Sequence, residues 1–319
     1  SGWYSSVAGG ESGTASGDAS SVSGGSLNTA SGWSSSVTGG DSSTASGDTS
    51  SVSGGSSNTA VGLSSSVSGG KRNIASGWYS SVTGGDSSTT SGDASSVSGG
   101  SSNTASGDTS SVSGGSSNTA VGLASSVSGG ESNIASESAS SVSGGVQNQA
   151  IGQGSSVSGG SKNTALGERS TVSGGGESSA HAFASAISGG NLNQAKGMYS
   201  SISGGLENQA THPRASVSGG ARNIAQSVDS SVLGGFLNRA QGNYVSVLGG
   251  KGNFGVGETS TILGGVGNKA NGKLSSVSGG MKNEASGVGA SILGGTRNIL
   301  DTDYSTDWKG KKGKKKSNL

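Results

Sequence analysis

The stretch Ser95–Leu123, SSVSGGSSNTASGDTSSVSGGSSNTAVGL, decides how the rest of the chain is read. It is built almost entirely from Ser, Gly, Thr and Ala, the composition of a flexible linker. Yet it states one fifteen-residue pattern twice, in step: S-S-V-S-G-G-x-x-N-x-A-x-G-x-x. With Ser95 as column 1 and Thr109 as column 15, the pattern extends in both directions. Gly-Gly pairs recur every fifteen residues from Gly9-Gly10 to Gly294-Gly295, giving twenty repeats over residues 5–304 without an insertion or deletion. A disordered repeat drifts in length without penalty, because nothing stacks on anything. A register held over twenty repeats implies that each repeat packs on the next.

The columns show what is stacked. Column 3 is Val or Ile in every repeat, as at Val22 and Val52. Column 11 is Ala everywhere except Thr90, Gly255 and Leu300, as at Ala30 and Ala60. Column 9 is Asn in sixteen repeats, including Asn28, Asn58, Asn103 and Asn118, with Gly13, Ser43, Ser88 and Ser178 in the other four. Fixed apolar positions flanked by small polar ones give period-two alternation, the mark of a strand. Each repeat therefore offers two short strands, around columns 3 and 11. The glycines of columns 5, 6 and 13 suggest turns with positive φ. Columns 7, 8, 14 and 15 vary freely.

Fifteen residues with two strands describe one coil of an all-β β-solenoid, or β-roll. Coils stacked about 4.8 Å apart would make twenty of them a rod on the order of 90 Å long. Residues 1–304 are assigned to the solenoid and 305–319 to a basic tail. The Asn column reads as an internal ladder of amide hydrogen bonds, with an exposed functional row as the alternative.

Composition agrees with a thin rod. Only 28% of residues are hydrophobic and 12% charged, Pro213 is the one proline, and Cys is absent. No disulfide framework or thiol chemistry is available. No apolar run approaches the ~20 residues that span a membrane as a helix. His181 and His212 lie two repeats apart, with no Ser-His-Asp or metal-ligand spacing around them. The GGxGxD calcium-roll pattern would need Asp where GGKGN (249–253) and GGVGN (264–268) have Asn. The expectation is a non-enzymatic protein with no cofactor and no metal. Asp18, Asp48, Asp93 and Asp108 share column 14, either as a weak cation edge or as ordinary turn residues. Six lysines fall in residues 305–319 and leave the remainder at net −4. Nucleic acid is not expected to bind, because phosphate neutralisation needs a spread basic face.

The string S-V-x-x-G-x-x-[NS]-x-A-x-G-x-x, clearest in SVSGGSSNTASG (Ser96 to Gly107), resembles the head repeat of YadA-like trimeric autotransporter adhesins. That resemblance covers residues 5–304. It implies a left-handed β-roll, lateral association of three chains, and an extracellular or cell-surface setting. The repeat is one residue longer than is usual there, and neither a membrane-anchor barrel nor a heptad stalk is visible. A second, weaker resemblance is to grass ice-binding β-rolls with N-x-V-x-G units. Here N-x-A-x-G carries an outward T-x-S or T-x-V pair, with Thr14, Thr29, Thr44, Thr59, Thr104 and Thr119 as the candidate ice-binding row. An exposed β-branched column is also what a strand prefers.

Column 4 changes character toward the C-terminus. It is Ser or Thr through most of the chain and becomes Leu at Leu233, Leu248, Leu263 and Leu293. If column 3 points inward, these leucines point out. With Phe236, and with Tyr304 and Trp308 beyond, they form a candidate assembly interface. Open solenoid ends also invite edge-to-edge addition. The expected function is that of an extracellular structural protein: the subunit of a homopolymeric filament or trimer, or the shaft or head of an adhesin. A host surface or carbohydrate would be its target. The ice-binding reading is the alternative.

Overall fold

A computed structural model describes residues 2–307. They form an all-β parallel β-solenoid of about twenty coils, about fifteen residues per coil, with two short strands in each and no helix among the described residues. Two compact units divide the chain, Ser1–Lys162 and Asn163–Leu319, where the sequence suggests a single stretch. The boundary lies close to Val146, where the variable columns begin to diversify.

Both units are built alike. Columns 2–3 and 10–11 are the strands, as in Ser111–Val112 and Thr119–Ala120. Each strand pairs in parallel with its counterpart fifteen residues away, in strict register: Val97 with Val112, Ala105 with Ala120 in the first unit, and Val232 with Val247, Ala225 with Ala240 in the second. A third ladder of single bridges runs along column 7, as Ser101–Ser116–Glu131 and Phe236–Lys251–Val266. The sequence carries no sign of it, because column 7 has no preferred residue.

Five columns point inward. Columns 3 and 11 bury Val22, Val52, Ala30 and Ala60, and column 9 buries Asn28, Asn58, Asn103 and Asn118. Column 13 glycines such as Gly107 and Gly122 are buried as well. So is the Ser of column 1, from Ser20 to Ser275. Most of these hydroxyls have no partner, but Ser95 Oγ donates to the Gly92 carbonyl at 2.6 Å, an acceptor in reach of the whole column. Ala215, Val245 and Ala290 replace this Ser and are buried in its place, so the site accepts a small apolar group.

The turns depart from expectation. Of the Gly-Gly pair, column 6 needs its glycine in every coil, whereas column 5 has positive φ only at Gly9, Gly24 and Gly99 and elsewhere does not need it. Gly115 has φ 84°, and a Cβ there would overlap the Gly130 carbonyl of the next coil and the Nδ2 of Asn118. At Gly114 a Cβ would meet nothing within 4 Å. Column 13 glycines do not have positive φ. They are glycines because a Cβ would enter the backbone of the next coil, as Gly107 would meet the carbonyl of Gly122. Where Glu137, His212 or Thr302 stands there, the side chain is exposed rather than buried.

Positive φ appears instead at columns 8 and 15, on ordinary residues: Ser117 (56°), Ala124 (54°), Arg222 (55°), Tyr244 (59°). The left-handed conformation turns the N–H around. In the coil 110–124, the N–H groups of Ser111, Ser113, Ser116, Thr119 and Val121 donate forward to the next coil, at 2.8–3.0 Å. Ser117 and Ala124 donate backward, to the carbonyls of Ser101 and Asp108, both at 2.9 Å. Each coil is thus held from both sides.

The strand ladder also continues past residue 304. Thr306–Asp307 pairs with Ser291–Ile292, so Asp307 occupies column 3 and the tail does not begin at 305. Trp308 and the six lysines lie outside the described residues.

The two glycines of a pair should respond differently to one methyl group. Gly115→Ala is expected to destabilise by at least about 2 kcal/mol through strain and backbone overlap. Gly114→Ala should stay within about 0.5 kcal/mol of the parent. Chemical denaturation of the two variants checks this, and equal effects would refute the assignment.

Candidate functional site

The functional question falls on the outward columns, and what positions them is the inward Asn column. Asn118 Nδ2 donates to the carbonyl of Gly114 in its own coil (2.8 Å) and to that of Gly130 in the next (2.9 Å). Its Oδ1 accepts the N–H of Asn133 at 3.0 Å. Asn28, Asn58 and Asn103 also each bridge two glycine carbonyls. Both amide hydrogens and the Oδ1 of Asn118 are engaged inside the chain, and the column is buried, so its task is internal. Where Ser43 or Ser88 replaces Asn, its Oγ meets the next Asn N–H at 3.4 Å, a longer and weaker rung.

The Thr row is in register along the first unit. Thr14, Thr29, Thr44 and Thr59 are successive partners, as are Thr89, Thr104 and Thr119. Ile74 fills the gap between them, and Ile134 follows Thr119. The sequence reading missed that this makes nine consecutive β-branched residues, Thr14 to Ile134, each presenting a γ-methyl. Column 12 beside them is Ser or Val. In the second unit the same column becomes Gln194, Gln209, Ile224, Arg239 and Phe254, and the uninterrupted row ends.

Column 4 points outward. Leu233, Leu248, Leu263 and Leu293 are 39–54% exposed. The first three occupy adjacent rungs, because Ser231, Ser246 and Thr261, two residues before each, are ladder partners. Phe236 is exposed too, but in column 7, across the Gly-Gly turn, with Lys251 Nζ 5.8 Å from its ring centroid. Tyr304 does not join this group. It stands in column 15 with its ring against Gly289, the residue one coil earlier in the same column.

The column 14 carboxylates have a structural task. Asp18, Asp48 and Asp93 each accept through Oδ1 the main-chain N–H of the residue one coil before: Trp3 (2.7 Å), Trp33 and Trp78 (both 2.9 Å). Asp108 does the same for Asp93 at 3.0 Å. No group of three or more His, Cys, Asp or Glu positioned to hold a metal occurs among the described residues. No helix there is long and apolar enough to cross a membrane.

Register also sets three of the ion pairs, which join adjacent rungs of one column. Arg214 meets Asp229 at 2.6 Å, Arg222 meets Glu207 at 2.7 Å, and Lys273 meets Glu258 at 2.9 Å. The Arg214 guanidinium holds the Asp229 carboxyl below its ordinary range. The Ser87 hydroxyl, with Arg72, does so for Asp86. Both histidines are exposed. Partial burial, and then the charge of Lys196, lower His181 from its usual value.

No protein-family model matches the chain, and no curated protein matches it.

Removing one amide should expose the ladder's contribution. Asn118→Ala orphans the buried Asn133 N–H and strips a donor from two carbonyls, an expected loss of about 2–4 kcal/mol. Asn118→Ser should cost roughly half that, since Ser43 and Ser88 already occupy equivalent rungs. Thermal melts of both variants check the order.

Proposed function

We propose that the chain is a non-enzymatic extracellular structural protein, the subunit of a surface filament or the shaft or head of an adhesin. The observation that carries this reading is the leucine column. A solenoid of this kind specifies column 4 only as outward, and Ser or Thr serves there in most coils. Placing Leu233, Leu248 and Leu263 on adjacent rungs builds a continuous apolar strip on an otherwise hydroxylated face, and such strips mark interfaces. Val266 and Met281, exposed in column 7, extend the apolar character of these coils. A second copy of the chain is the partner, side by side along this strip.

A second reading has its own observation. The nine-rung β-branched column from Thr14 to Ile134 is uncharged and held in strict register, the kind of regular row that can order water at an ice face.

Leu248→Glu/Leu263→Glu tests the assembly reading. Both side chains are exposed, so folding should survive. The parent chain should form oligomers or fibres with rising concentration in sedimentation and negative-stain microscopy, and the double variant should remain monomeric. A parent that stays monomeric throughout would sink the assembly reading. The ice-binding reading expects thermal hysteresis from the parent, abolished in Thr44→Tyr/Thr104→Tyr with circular dichroism unchanged. Absence of hysteresis in the parent removes it.

A further inference from the structure

The three tryptophans among the described residues, Trp3, Trp33 and Trp78, all stand in column 14 of the first unit. They are 57–78% exposed. None of them stacks on a ring or carries a cation among the described residues. One exposed aromatic is ordinary on any surface. Three in the same one of fifteen columns, none held by an intramolecular ring or cation contact among the described residues, point to an external one.

Their neighbours are equally regular. One coil after each Trp stands an Asp: Asp18 after Trp3, Asp48 after Trp33, Asp93 after Trp78. The Asp Oδ1 is fixed by the Trp main-chain N–H at 2.7–2.9 Å. The second oxygen, Oδ2, engages nothing else among the described residues. The edge therefore sets a preset, charged acceptor one rung after each apolar ring, and Leu63 adds an apolar rung between Asp48 and Trp78. Tyr4 and Tyr79, the next residues in the chain after Trp3 and Trp78, are exposed as well. Trp3 and Trp33 are two coils apart, roughly 10 Å. Trp33 and Trp78 are three coils apart, roughly 14 Å.

We infer that this Trp/Asp edge binds an extended, neutral, β-linked polysaccharide lying along the first unit. A pyranose ring presents a face of C–H groups to an aromatic plate, whose π-cloud is electron-rich. Its hydroxyls donate to a carboxylate, and a charged acceptor makes the stronger bond. An extended β-linked chain turns successive sugars over, so like faces recur every second sugar, a distance comparable to two rungs. A straight edge with a constant rung suits a linear polymer better than a branched or globular ligand. The charge selects within that class: Asp18, Asp48, Asp93 and Asp108 in one column repel uronates and sulfated glycans. The proposal stands apart from the leucine strip, which lies in another column and in the second unit.

The test is native affinity electrophoresis of the full chain in gels containing hydroxyethyl cellulose, xyloglucan or glucomannan, with dextran and alginate as α-linked and acidic comparisons. Retardation is expected in at least one of the three neutral β-linked polymers and in neither comparison. Trp33→Ala/Trp78→Ala should weaken it on the order of tenfold or more, with circular dichroism unchanged, because the N–H bonds to Asp48 and Asp93 are main-chain. Asp48→Asn keeps an Oδ1 for that bond and should weaken binding less. Leu248→Glu/Leu263→Glu should bind as the parent does, which separates this edge from assembly. No retardation in any of the neutral β-linked polymers, equal retardation in dextran, or a double Trp variant retarded like the parent would each overturn the proposal.

Discussion

The carbonyl of the column 6 glycine is where the solenoid is closed. Gly130 O accepts two donors from the preceding coil, the N–H of Ser116 and the Nδ2 of Asn118, both at 2.9 Å. To reach that carbonyl the coils must approach until no Cβ fits between them, and the backbone must adopt φ near 87° at Gly130. One acceptor thus fixes a glycine at column 6 and an Asn at column 9. Between the two requirements the carbonyl is the stricter. In coils where Ser43, Ser88 or Ser178 stands at column 9, a Cβ on Gly40, Gly85 or Gly175 would no longer meet an amide, yet it would still overlap the next carbonyl, and glycine is retained. A buried acceptor with two donors contributes little net energy compared with what is lost if the donors are stranded.

This economy explains how so little apolar surface suffices. One Val and one Ala per coil are a small interior, and burying a Val side chain stabilises by only about 1.5–3 kcal/mol. The forward and backward hydrogen bonds of each coil hold what packing alone would not. The backward ones come from the left-handed residues of columns 8 and 15. For a residue with a Cβ that conformation costs about 1–2 kcal/mol. The cost is offset by two donors per coil that would otherwise point at nothing.

How much of this the sequence discloses follows from where each constraint acts. Columns 3, 9 and 11 are legible because their side chains are the contacts, and a contact that repeats leaves a repeating residue. Columns 8 and 15 are equally constrained, but only in the backbone. Their side chains point to solvent, so Ser117, Arg222 and Tyr244 can share one φ without sharing any chemistry. The usual indicators of a left-handed residue, Gly and Asn, are mostly missing there. The outward direction of the leucines followed from stepping one residue past the inward column 3, and it needed no structure. The Trp/Asp relation did not follow, because it joins residues fifteen apart through a main-chain N–H. The column of Tyr304 can be counted from the repeat, but its ring lying against Gly289, one coil earlier, could not.

A backbone specified by five inward columns and one glycine leaves the outward columns to be chosen rung by rung. A β-branched row, a Trp/Asp edge and a leucine strip can then occupy separate columns, or separate stretches of one column, without disturbing the interior. The ion pairs show the same freedom in small: Arg214–Asp229, Arg222–Glu207 and Lys273–Glu258 all exploit the fifteen-residue register. As exposed pairs they contribute at most about 1 kcal/mol each. Stability therefore does not select them strongly, and their column can change sign or identity along the chain. In such a fold an outward residue that recurs on schedule is not repeated to fill the interior, and where no main-chain bond accounts for it, as one does for Asp18, Asp48 and Asp93, the recurrence is informative about contacts beyond the chain.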